Sequence, residues 1–137
     1  MMKGIEEIRD NKGDIIAVIA RSGYHPPGVS FLSRPEWPLQ LGVSTYLHSQ
    51  MVRPHSHNRR QISVEAVQEV VHVDAGRIRV DLYDTADLLA GTADLFTGDT
   101  ILFVQGGHSL HIMEDSRIIE VKQGPYEGLA SDKRMLG

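Results

Sequence analysis

The run RIRVDLY, residues 77–83, alternates without a break: Ile78, Val80 and Leu82 against Arg79, Asp81 and Tyr83. Successive side chains of a strand point to opposite faces, so this spacing predicts a strand with one buried face and one solvated face. Shorter β-prone runs recur along the chain. Ile5 to Arg9 and Asp14 to Arg21 flank the turn signal DNKG, Leu41 to Gln50 is β-prone, and Glu69 to Val73 joins the alternating run through DAG. TGDTILFV, HSLHIM and SRIIEVK follow, the last two joined by EDS.

The stretch GYHPPGVSFLSRPEWPLQ carries four of the six prolines, which excludes a helix and predicts an extended loop with one edge strand. DTADLLAGTADLF repeats TADL; its spacing suits one helical turn or a loose loop, and nothing else echoes it. No stretch combines caps with helical periodicity. Many short strands with regular turn signals predict an all-β sandwich or small barrel. The 137 residues fit one domain, 1–137, with no linker.

With 41% hydrophobic and 23% charged residues the chain can build a core. A net charge of −4, with Arg59-Arg60 and Lys133-Arg134 as isolated basic pairs, argues against nucleic acid as a partner. No cysteine is present, so disulfides, Cys-ligated zinc and thiol nucleophiles are excluded. Any metal must sit on His, Asp or Glu. The start MMKGIEEIRDNKG does not resemble a secretory signal, and no apolar run reaches membrane-spanning length. No membrane partner and a cytoplasmic location are therefore expected.

His55 and His57, in HSH, share a face if their segment is extended, and two imidazoles make half a metal site. Glu69, facing inward with Val71 and Val73, and His108, after a Gly-Gly turn, could supply the rest. The competing reading of the pair is a solvated edge, since Asn58, Arg59 and Arg60 follow directly. His72 is out of phase with Glu69, and His111 is out of phase with His108, so both are expected on opposite faces. Glu120 and Lys122 share a face in IIEVK. They are candidate acid/base groups if that face lines the interior; the alternative puts Ile119 and Val121 inside. No GxSxG, GxGxxG or Walker pattern occurs.

The order of these features resembles the cupin superfamily. HSH (55–57), Glu69, six residues and Gly76 are similar to its first motif; Gly98 opens GDTILFVQGGH, which ends at His108 and is similar to the second. The likeness spans about His55 to Met113, and IEVKQGPYEG looks like a group of small single-domain bacterial cupins. Gln61 stands where a compact first motif places Glu, so Gln61 and Glu69 are alternatives for the acidic position. Glu69 is preferred for its distance to Gly76.

The resemblance implies a double-stranded β-helix (a jelly-roll or cupin barrel). Its core would be residues 40–123, with N-terminal extra strands in 1–39 and a tail at 124–137. It further implies a divalent metal ion (Zn, Fe, Mn or Ni) on His55, His57, Glu69 and His108. The implied ligand is a small polar molecule, a sugar or sugar nucleotide, undergoing isomerase, epimerase or oxygenase chemistry. Ligand binding without turnover, as in a sensor, is the alternative. Small cupins commonly form homodimers, and Phe31 and Trp37 offer aromatic surface for a partner sheet.

Overall fold

A computed structural model describes residues 3–137; Met1 and Met2, the first residues of the 1–39 region, lie outside the described residues. The elements in chain order are β1 (Ile5–Arg9), β2 (Ile15–Ala20), β3 (Gly28–Phe31), β4 (Gly42–Thr45) and β5 (Glu69–Ala75). They continue with β6 (Arg77–Tyr83), β7 (Leu89–Phe96), β8 (Thr100–Phe103), β9 (Gly107–Ile112), β10 (Arg117–Lys122) and the single turn of helix α1 (Leu129–Asp132). The fold is all-β, and its strand pairs are antiparallel.

Five strands form one sheet in the order β1-β2-β8-β5-β10, and three form another in the order β7-β6-β9. Alternation explains how they meet. Ile78, Val80 and Leu82 of β6 are fully buried and pack with Val71 and Val73 of β5, Ile16 and Ile19 of β2, and Ile101 of β8. The core therefore lies between the two sheets.

Strand β2, IIAVIA, is buried at all six positions because its sheet is covered on both faces. Ile16 and Ile19 belong to the core, while Ile15 and Val18 join a second cluster with Leu102 and Val104. Trp37, Leu39 and Leu41 of the proline-rich segment cover that second cluster. Trp37 is thus engaged by its own chain, whereas Phe31 on β3 is exposed.

DTADLLAGTADLF is a turn followed by the eight-residue strand β7, neither a helical turn nor a loose loop. Its alternation is weak because it is an edge strand with few covered positions. Pairing with β6 from Arg77↔Phe96 to Tyr83↔Leu89 supplies what its own pattern does not. The β-prone run from Leu41 ends early, at Thr45. From Tyr46 to Val67 there is no helix or strand, and every residue is exposed. Strands β3 and β4 form a two-stranded sheet, and Thr45 of β4 also bridges Pro27.

Two turns set the strand ends. Gly76 has φ 103°, and a Cβ there would lie 2.6 Å from the Asp115 carbonyl oxygen, so the DAG turn takes no side chain at this position. Buried Asp99 accepts hydrogen bonds from the Ser22 and Phe96 backbone N–H groups and from Arg21 Nη1, each at 2.8–2.9 Å. Arg21 also pairs with Glu6 and donates to the Asp94 carbonyl, so one guanidinium ties β1, β7 and the β7–β8 turn together.

Candidate functional site

At one end of the interior the apolar lining gives way to charge. In β5, Glu69 continues the inward phase of Val71 and Val73 and lies opposite Phe103 of β8 and Lys122 of β10. Glu120 lies opposite Val71 in the same register, so it and Lys122 take the inner face. Ile119 and Val121 are exposed on the other side, and Glu120 is exposed as well; of residues 119–122 only Lys122 is partly covered. In β9, His108 lies opposite Leu82 and shares its inward phase. The His108 ring stacks on Phe103, with centroids 3.8 Å apart and planes 9° apart.

His108 Nε2 and Glu69 Oε2 are 3.7 Å apart, beyond a hydrogen bond. Burial is the main cause of both groups' shifts. It pushes the Glu69 carboxyl above its ordinary range, helped by Glu120 and opposed by Lys122 and Lys133. Burial pushes His108 below the ordinary imidazole value, helped by Lys133 and opposed by Glu120. Burial thus disfavours the charged form of both partners in this contact.

His55 and His57 lie on the exposed 46–67 segment. Their rings meet edge to face with centroids 5.4 Å apart, and His55 Nδ1 is 2.7 Å from the Arg53 carbonyl. Gln61 is exposed in the same segment. The four candidate ligands thus stand as two pairs. Among the described residues, no three His, Asp or Glu side chains come together as a group able to hold a metal ion. The donor chemistry suits a divalent metal, but the donors as placed do not fit a single ion.

The remaining histidines follow strand phase. His72 faces away from the core and bonds Thr100 Oγ1 at 2.8 Å. His111 sits on the outer face of the three-stranded sheet, 3.1 Å from Asp81 Oδ2, where Arg79, Thr92 and Met113 help line an open groove of about 370 Å³.

The C-terminal segment is what strand periodicity could not place. Asp132, at the end of α1, accepts a 2.7 Å hydrogen bond from Lys122 Nζ. The Tyr126 ring lies 5.5 Å from the same ammonium. Phe103 and Asp132 both belong to the site's surroundings; only the apolar phase of TILF pointed to the first, and nothing in the tail pointed to the second.

No family model matches the chain, and neither a curated protein nor a solved structure matches it. Among the described residues, no helix is long and apolar enough to cross a membrane.

Proposed function

We propose that the chain is a cupin, a double-stranded β-helix whose polar end binds a small polar metabolite such as a sugar or sugar nucleotide. The observation that carries this reading is the cluster of partly covered Glu69, His108 and Lys122, with exposed Glu120 in the same strand phase, at one end of an otherwise apolar interior. Such a convergence of polar groups at the open end of a β fold is what a small hydroxylated ligand requires. The two antiparallel sheets packed through a shared core support the barrel reading.

A divalent metal on His55, His57, Glu69 and His108 belongs to the same reading and carries one requirement. The 46–67 segment must bring its histidine pair to the mouth. Among the described residues, strand β9, which carries His108, pairs with β6 on one side only. An extended HSH segment added to its free edge would set both imidazoles on one face beside His108. Only in that rearranged state would His55, His57, Glu69 and His108 hold a metal, which would then supply Lewis-acid chemistry. In the isomerase, epimerase or oxygenase reading, Glu120 and Lys122 are the acid/base candidates on the mouth wall.

The separation of the two pairs favours a second reading, a non-catalytic ligand-binding or sensor cupin that works without a metal. Elemental analysis of untagged protein decides between them. Stoichiometric metal, lost in both His55→Ala and His108→Ala, supports the metal reading. Metal-free, folded protein overturns it and leaves ligand binding. A homodimer remains part of the proposal; elution at the monomer position in size-exclusion chromatography removes it.

A further inference from the structure

The polar end of the barrel already has an occupant. The segment that follows β10 turns back across it, and three separate contacts hold it there. The first is Asp132 on Lys122, with Tyr126 against the same ammonium. The second is a pair of hydrogen bonds from Arg134 to the Asp87 carboxylate, at 2.9 and 3.2 Å, beyond the mouth. The third is Leu136, seated against Gly107 at the start of β9. A Cβ on Gly107 would lie 2.6 Å from Leu136 Cδ1, so this glycine leaves the space that Leu136 fills.

These contacts are local and shallow. The Arg134–Asp87 pair is largely solvated, and exposed ion pairs contribute little. The helix they position has one turn and no buried residue. A segment held by so few buried contacts opens at low cost compared with the sheets behind it. Its chemistry also matches the wall it covers. Asp132 presents a carboxylate to Lys122, and the neighbouring Lys133 charge acts on Glu69 and His108.

We propose that residues 124–137 are a tethered, displaceable occupant of the barrel mouth, and that Asp132 holds on Lys122 the place a ligand carboxylate takes. The ligand class is a small polyhydroxy carboxylate: its acid group replaces Asp132, and its hydroxyls donate to Glu69 and Glu120. This rests on the reading of the mouth as a ligand site, but the closure itself needs neither metal nor ligand.

The closure is tested on the full chain by the rate at which diethyl pyrocarbonate modifies His108, read by peptide mass spectrometry. His111, on the outer face, is the internal reference. Asp132→Asn and Leu136→Ser should each accelerate modification of His108 severalfold and leave His111 unchanged; equal rates at His108 in both variants overturn the closure. The ligand chemistry is tested with sodium gluconate against sodium chloride at matched ionic strength. Gluconate should increase amide hydrogen exchange at Asp132 and Lys133, whose N–H groups bond the Gly128 and Leu129 carbonyls. Lys122→Met should abolish that increase. No gluconate effect in the wild type overturns the carboxylate assignment. A closed tail over a mouth that binds no metabolite would instead count against the proposed function.

Discussion

Glu69 and His108 approach each other from different sheets, with 3.7 Å between Oε2 and Nε2. Burial disfavours the charged form of both. The pair marks where the apolar interior ends, and its protonation should be readable from stability.

Glu69→Gln keeps the shape and removes the buried charge. The folded-state value of Glu69 is raised, so its protonated form stabilises the fold fully below the ordinary carboxyl range, and that contribution is lost as pH rises through the folded value. Glu69→Gln should therefore be more stable than wild type at pH 7.5, and the difference should shrink at pH 4. Urea denaturation at the two pH values checks this; a difference independent of pH would sink it.

His108 behaves with the opposite sign. Its folded-state value is lowered, so the neutral ring contributes stability above the ordinary imidazole value, and this is lost as pH falls through the folded value. In an NMR titration His108 should titrate below the reference imidazole value. Lys133→Gln should move it upward, since the Lys133 charge contributes to the lowering. A titration at or above the reference value would contradict the burial described for it.

Asp99 is a structural group, and its removal should be costly. Its carboxylate satisfies two backbone donors and Arg21 in a buried turn. Asp99→Ala leaves those donors unpaired and should cost about 3 kcal/mol, in the range for losing one partner of a buried charge pair. Chemical denaturation measures it; a loss below about 1 kcal/mol, the scale of an exposed pair, would show that solvent replaces the carboxylate.

Gly76 tests the turn between the two sheets. With φ 103° and the Asp115 carbonyl 2.6 Å from the position a Cβ would take, Gly76→Ala combines backbone strain with a clash against main chain. A loss of about 2–4 kcal/mol is expected from strain and overpacking together. An unchanged thermal midpoint would mean that the 115–116 turn moves freely.

Periodicity made much of this fold legible. The alternation in RIRVDLY placed Ile78, Val80 and Leu82 in the core, and phase alone put His72 and His111 on outer faces. β7 was hidden because an edge strand with little buried surface carries little pattern. Phase also offered Glu120 and Lys122 as an interior pair, but could not choose them over Ile119 and Val121. The pairing of β10 with β5 sets Lys122 opposite Glu69 and leaves Ile119, Glu120 and Val121 all exposed.

By itself the sequence determined the local alternation: which residues of each strand share a face, where turns demand glycine, and that cysteine chemistry is absent. Tertiary structure decided which strands are neighbours, and hence which faces meet. Glu69 and His108 are brought within 3.7 Å although 39 positions separate them in the chain. His55 and His57, nearer to Glu69 in sequence, lie on a segment that pairs with no strand. Asp132 accepts a hydrogen bond from Lys122, 10 positions earlier, because the chain reverses after β10. The physical reason is that periodicity acts over a few residues, whereas the partner of a side chain is set by sheet order and chain reversal, which no short window of sequence encodes.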